Sequence, residues 1–174
     1  GLTAPNPAVG AVVVSENSVV ARGAHWASGY PHAEVEAIRA AGELSRGATL
    51  YVTLEPCNHL GKTPPCTELI ISSGIKRVVY GYGDPNSTVT GGGHGALERR
   101  GIEIQRVSLE EIDLFYQSYT YWLSTGAPWV TAKIATSLDG KIAGVNGAPV
   151  KISGPEFDSL THWLRRQNHA ILTS

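Results

Sequence analysis

Runs of positive charge are what this sequence most plainly lacks. Its 14 Lys+Arg stand against 15 Asp+Glu, a formal charge of −1. The basic residues nowhere cluster, which removes the electrostatic footprint expected of a protein that binds nucleic acid or an anionic membrane. Long apolar runs are missing too: no stretch reaches the roughly 18 residues of a membrane-spanning helix, and no secretory leader opens the chain. Methionine is absent, even at position 1, which points to a true N-terminus upstream of Gly1. Cysteine is scarce. The two present, Cys57 and Cys66, leave either a single disulfide or a pair of metal-binding thiols. What remains is the composition of an ordinary globular chain, 42% hydrophobic and 17% charged over 174 residues. That suffices for one good-sized domain, or for one domain and a fragment of another. The expected partner is a small molecule and the expected compartment a reducing cytoplasm.

Both cysteines fall in one stretch with a well-placed histidine. It opens with His32-Ala33-Glu34 and closes with Pro56-Cys57-Asn58-His59-Leu60-Gly61-Lys62-Thr63-Pro64-Pro65-Cys66. A catalytic zinc takes three protein ligands and keeps its fourth position for water, whose pKa it lowers towards about 7. His32, Cys57 and Cys66 make three such ligands. Glu34, two residues from His32, reaches the same pocket from the first turn of a helix beginning there while staying off the metal, which suits a proton shuttle. Pro64-Pro65 suits the start of a second helix, whose N-terminus would favour a thiolate at Cys66. The histidine and glutamate upstream favour this metal site over a disulfide between the cysteines. The pattern H-x-E…P-C…C is similar to the signature of zinc nucleobase deaminases. There two residues separate the cysteines; here eight do, and Lys62 and Thr63 within them could hold the phosphate or hydroxyls of a small nucleotide.

The rest of the chain reads as alternating elements. Val9–Val14 is a short apolar run, expected as a buried strand, and Val19–Ala24 a second strand hairpinned to it through Glu16-Asn17-Ser18. Asn6, in the Pro5-Asn6-Pro7 turn, is either a turn residue or a substrate contact. His25 is expected as a strand-end surface histidine. Apolar residues at 33, 37, 38, 41 and 44 have helical spacing; Ala48–Leu54 is a strand, Thr67–Ser73 a helix, Lys76–Gly81 a strand. Gly91-Gly92-Gly93 lacks the G-x-G-x-x-G spacing of a phosphate loop and is expected as a tight packing turn. A helix ending at Arg100-Gly101, a strand at Ile102–Val107 and a helix over Leu109–Leu123 follow. With no interleaved basic residue, the aromatics of that last helix (Phe115, Tyr116, Tyr119, Trp122) are expected in core or interdomain packing rather than under stacked bases, and they make a homo-oligomer plausible. The order β-β-α-β-α-β-α-β-α is that of an α/β layered domain with a mixed sheet over residues 1–125. Ser124-Thr125-Gly126-Ala127-Pro128 reads as a boundary. Residues 126–174, with an expected strand at Trp129–Ala135, a turn at Gly144–Gly147, a helix at Pro155–Arg166 and the start of a strand at Ala170–Leu172, are the front of a second, incomplete α/β domain.

Together the motifs resemble a known family. H-A-E, then P-C-N-H-x-G-K-T-P-P-C, preceded by Thr3-Ala4-Pro5-Asn6-Pro7-Ala8-Val9-Gly10, is similar to the deaminase half of the bifunctional riboflavin-biosynthesis deaminase/reductases. Lys133-Ile134-Ala135-Thr136-Ser137-Leu138-Asp139-Gly140, Ile152-Ser153-Gly154 and His169-Ala170-Ile171-Leu172 resemble the opening of their reductase half. The resemblance implies a three-layer cytidine-deaminase-like domain followed by the start of a dihydrofolate-reductase-like α/β domain. It implies zinc-dependent deamination of a ribosylaminopyrimidine phosphate, coupled in a full-length protein to NADPH-dependent reduction of the ribosyl side chain. Asn6 and His59 would then face the pyrimidine substrate. Ala135 would lie along NADPH, and Arg165 would lie near the substrate phosphate. Where the family commonly has Ser-x-Trp this chain has Pro149-Val150-Lys151, so Lys151 stands in the place of a cofactor-packing aromatic. The family's Asp-Asp-Pro region would fall past Ser174, and the 174 residues alone are not expected to reduce. Two other readings compete. A nucleic-acid base deaminase would want a basic face and the tight C-x-x-C, and a structural zinc domain would want a fourth protein ligand, for which His59 is the nearby candidate.

Overall fold

The computed structural model describes residues 3–60, 64–86 and 92–173. Its contacts divide the chain into two compact units, one ending at Trp129 and the other beginning at Val130.

The first unit is built on a five-stranded mixed sheet in the order β2-β1-β3-β4-β5. β1 (Gly10–Ser15) and β2 (Ser18–Ala24) are antiparallel and joined by a two-residue turn in which Glu16 and Asn17 both take positive φ, the turn geometry that matches strand twist. β1 also pairs antiparallel with β3 (Thr49–Leu54), which pairs parallel with β4 (Arg77–Tyr82), and β4 with β5 (Glu103–Arg106). Alternation assigns the faces: Ala11, Val13, Leu50, Val52, Val78 and Tyr80 enter one buried cluster with Ala33, Ala37, Ile38 and Ala41 of α1 (Ala33–Ala41), Ile70 of α2 (Cys66–Ser72) and Leu97 of α3 (Gly92–Arg99). Each fully buried Leu, Ile or Val there contributes roughly 1.5–3 kcal/mol. α4 (Glu110–Thr125) lies on the opposite face, where Ile112 abuts Gly81 and the Tyr116 hydroxyl reaches Thr53. The result is the expected three-layer α/β arrangement.

Two close approaches set the positions of the helices that matter for the site. A Cβ on Gly23 of β2 would lie 2.2 Å from the Ala33 carbonyl oxygen and 2.4 Å from the Ala37 nitrogen, so α1 rests backbone-on-backbone against the sheet, its alanine face allowing the contact. A Cβ on Gly93 would lie 1.9 Å from the Pro56 carbonyl oxygen. The start of α3 therefore presses on the peptide just before Cys57: Gly92 and Gly93, expected in a tight packing turn, instead open the helix, and Gly93 makes the close packing contact; Gly91 itself lies outside the described residues.

The second unit contains α5 (Pro155–Arg166), with the expected bounds, and a single helical turn at Val145–Gly147 where a turn was expected. The strands expected at Trp129–Ala135 and Ala170–Leu172 are absent: both stretches are irregular. A strand is completed only by hydrogen bonds to a neighbouring strand, and the described residues of this unit offer none.

Candidate functional site

Three loops and two helix starts converge at the C-terminal ends of β3 and β4, around a cavity of about 320 Å³. His32 occupies the position before α1, with extended backbone, and turns its Nδ1 towards both cysteines, 3.2 Å from Cys66 Sγ and 3.5 Å from Cys57 Sγ. Cys66 is the first residue of α2, directly after Pro65 as the proline pair suggested. The backbone N–H of Cys66 points at Cys57 Sγ (3.4 Å), Thr67 N–H donates to the Cys57 carbonyl, and the Thr67 hydroxyl donates to Asn58 Oδ1 at 2.7 Å. Those bonds lock the Cys57 turn onto the α2 N-terminus. The three donor atoms lie within 4.8 Å of one another. Around one tetrahedral zinc with bonds of 2.0–2.3 Å the ligand atoms would be about 3.5 Å apart, so an imidazole nitrogen and two thiols at these separations fit that metal.

The hydrogen bond from Cys66, helped by His32, holds the Cys57 thiol down to about 4, while its bond to Cys57 and its burial push Cys66 up. The hydrogen bond to Cys57 also raises the His32 pKa. A divalent metal would displace the remaining protons, as zinc does on binding thiols. Glu34, in the first turn of α1, is 4% exposed and not one of the three converging ligands. Burial raises its pKa, which brings the carboxyl closer to the range where it exchanges protons at neutral pH.

Asn6 and His59 line the same cavity. Lys62 and Thr63 lie outside the described residues. Ala135, Lys151 and Arg165 belong to the second unit. Ala135 is half-buried, Lys151 pairs with Asp158 at 3.0 Å, and Arg165 is exposed in the last turn of α5.

Several residues enter the site without having been singled out. His25 is buried (6% exposed), not on the surface as expected. Its Nδ1 is 3.0 Å from the Pro31 carbonyl and its Nε2 3.3 Å from Asn6 Nδ2. A carbonyl only accepts, so the ring proton sits on Nδ1, Nε2 accepts from the Asn6 amide, and Asn6 Oδ1 is left as an acceptor for a ligand. The signal was weak, a histidine ending a strand whose period already pointed it inward. Glu55 accepts the His94 N–H at the start of α3 (2.9 Å) and also lines the cavity, as do Asp84, whose pKa burial raises, and Asn86. The α4 aromatics divide in a way that helical spacing alone did not show. Tyr116 is 1% exposed, Tyr119 forms part of the cavity wall, and Phe115 and Trp122 stay 55% and 42% exposed.

Comparison with known proteins sets this geometry among relatives. The family model for the cytidine and deoxycytidylate deaminase zinc-binding region matches residues 1–82, and that for the RibD C-terminal domain matches residues 128–174. The riboflavin biosynthesis protein RibD of Aquifex aeolicus is 47% identical over 173 residues, 99% of this chain and 49% of its own length; that of Bacillus amyloliquefaciens is 52% identical over 151 residues, 84% and 40%. Among solved structures, the diaminohydroxyphosphoribosylaminopyrimidine deaminase/5-amino-6-(5-phosphoribosylamino)uracil reductase of Thermotoga maritima superposes with a TM-score of 0.86 at 45% identity, covering 94% of this chain and 47% of that one. The chain spans about half the length of the curated relatives it matches. With a His-Cys-Cys cluster on a mixed sheet in one unit and the RibD C-terminal match in the other, the chain is similar along almost its whole length to the riboflavin biosynthesis proteins RibD.

Proposed function

We propose that this chain carries out zinc-dependent hydrolytic deamination of a 2,5-diaminopyrimidinone ribose phosphate, the deaminase step of riboflavin biosynthesis. The observation that carries the reading is the buried Glu34 carboxyl next to the His32-Cys57-Cys66 cluster at a cavity of about 320 Å³, a size suited to a small ligand. His32, Cys57 and Cys66 would hold the zinc; when bound, it supplies the Lewis acidity that makes water a nucleophile near neutral pH. Glu34 takes a proton from the attacking water and gives it to the ring, then takes the second from the hydroxyl of the adduct and gives it to the departing ammonia, a role its raised pKa suits. Asn6, its amide oriented by His25, accepts from the pyrimidine's N–H groups. His59 faces the ring, and the loop with Lys62 and Thr63 holds the ribose phosphate. In this reading residues 1–125 are the deaminase domain and 126–174 open the reductase.

NADPH-dependent reduction of the ribosyl side chain belongs to the whole protein, and the match to the RibD C-terminal domain supports it. Among the described residues here, Lys151 is already paired with Asp158 and Arg165 is exposed, so Ala135, Lys151 and Arg165 by themselves do not make a dinucleotide cradle. Free thiols at Cys57 and Cys66 suit a reducing cytoplasm. Among the described residues, no helix is long and apolar enough to cross a membrane. Exposed Leu114, Phe115 and Trp122 on α4 support self-association, which sedimentation velocity would test. A nucleic-acid base deaminase is not favoured by a net charge of −1 or by eight residues between the cysteines.

The test is ammonia release, with zinc measured on the same sample, from the diaminopyrimidinone ribose phosphate and in parallel from cytidine and a tRNA anticodon stem. Release from the first alone at one zinc per chain is expected. Release from either of the others in preference to it would overturn the substrate assignment.

A further inference from the structure

On the face of the sheet that carries α4, the buried Tyr116 is the centre of a hydrogen-bond chain. It donates to the Ala8 carbonyl at 2.9 Å and lies 2.8 Å from Thr53 Oγ1, which accepts the backbone N–H of Gly10 at 3.1 Å. The direction of the chain is forced. A carbonyl only accepts, so the single Tyr116 proton goes to Ala8 and the Thr53 proton to Tyr116. Burial pushes the Tyr116 pKa up to about 12, so the donor stays protonated throughout the working range.

What this chain holds is the short segment leading into β1. The β1–β3 ladder ends at Ala11 opposite Val52, and beyond it the Thr53 side chain takes the place of a strand partner for Gly10. From the other side, the His25 backbone N–H bonds the Val9 carbonyl (2.9 Å) and the His25 ring bonds Asn6. Residues 8–10 are thus clamped between α4 and β3 on one side and the end of β2 on the other. Asn6, Pro7 and Val9 all line the cavity. None of the three metal-binding side chains, nor Glu34, takes part in the clamp.

We propose that Tyr116 is a positioning residue: through its hydroxyl and Thr53 it fixes the segment that presents Asn6 to the substrate, so that substrate binding depends on a side chain in the layer behind the sheet. The proposal rests on the deaminase reading for its kinetic half and on the fold alone for its structural half. Tyr116→Phe keeps the ring, which stacks on Tyr82 at 5.2 Å and meets Phe115 edge-on, and removes only the hydroxyl, which takes away the donor to the Ala8 carbonyl and the acceptor of the Thr53 proton.

The experiment compares the parent chain, Tyr116→Phe, Thr53→Val and the double variant for KM, kcat, zinc content and amide hydrogen exchange over residues 3–12. Either single change is expected to raise KM about tenfold, from the loss of two part-buried bonds that hold residues 8–10. It should leave kcat within about twofold and zinc at one per chain, and speed exchange in that segment. The double variant should fall short of the sum of the two single effects, because both changes remove the shared Thr53–Tyr116 bond. An unchanged KM in both single variants, additive effects, or a parallel fall of kcat and zinc would overturn the proposal. If the parent chain itself releases no ammonia, the functional reading fails and exchange decides alone: faster exchange over 3–12 supports the clamp, and unchanged exchange overturns it.

Discussion

Residues up to Trp129 bury Val13, Leu50, Ile70, Val78 and Leu97 to the last ångström of surface, while no described residue from Val130 onward is buried. Both regions were expected to contain strands and helices, and the helix was realised in each. α5 needs only itself: Pro155 at its first position, Glu156 and Asp158 in the first turn and Arg165 and Arg166 in the last satisfy the proline preference and the dipole locally. Its apolar residues Phe157, Leu160 and Trp163 remain 57%, 47% and 57% exposed. The strands of the same region, with apolar sequences as good as β1, did not form. The contrast separates structure that a sequence makes alone from structure that needs a partner surface.

Removing a metal ligand sharpens that contrast most. Cys66→Ser should drop zinc from one per chain to near none by elemental analysis and destabilise the first unit by more than about 4 kcal/mol in the zinc-loaded protein. The α5 segment, which depends on no core, should keep its amide-exchange pattern. If melting and exchange of both units changed together, their energetic independence would be lost.

Glu34→Gln probes chemistry inside the well-packed unit without touching the metal. It should lower kcat by about 10²–10⁴-fold with zinc retained; unimpaired turnover would sink the proton-shuttle role. The same variant has a stability signature. Burial raises the Glu34 pKa above the ordinary glutamate value of 4.5, so the unfolded chain gives up this proton first. As pH rises beyond about 4.5 the folded state binds more protons than the unfolded one, and stability falls until the folded pKa is passed. Metal-free Glu34→Gln should therefore melt above the metal-free parent at pH 7, with the gap closing near pH 4, as followed by thermal denaturation.

Gly93→Ala tests whether the packing that distinguishes the first unit also holds the site. The new methyl meets the Pro56 carbonyl, which cannot swing away as a flexible side chain could. A loss of about 1–3 kcal/mol in urea denaturation is expected, with weakened zinc retention because Cys57 follows Pro56. At the other extreme, Lys151→Ala removes a solvent-exposed ion pair with Asp158 and should change stability by less than about 0.5 kcal/mol. A larger loss would mean that the second unit has more cooperative structure than its exposure implies.

The site divides along similar lines. His32, Glu34, Cys57 and Cys66 were legible because metal chemistry restricts residue type and because Pro64-Pro65 marks where a helix starts. Asn6 and His59 were reached through family resemblance. His25, Glu55, Asp84 and Tyr119 were not singled out, since each comes to the cavity from a different element and no local spacing links positions 25, 55, 84 and 119.

By itself, then, the sequence determined the order of elements in the first unit, the extent of α5 and the donor set of the candidate metal cluster. These follow from periodicity, end signals and donor type, all of which act over a few residues. Only the tertiary structure decided that α1 and α3 press on Gly23 and Pro56, that His25 turns inward to orient Asn6, that Tyr116 clamps the start of β1, and that Trp129–Ala135 stays irregular. Each of those depends on what lies across a packed layer or beside a strand, and partners distant in sequence are set by the closing of the chain and not by any stretch of it.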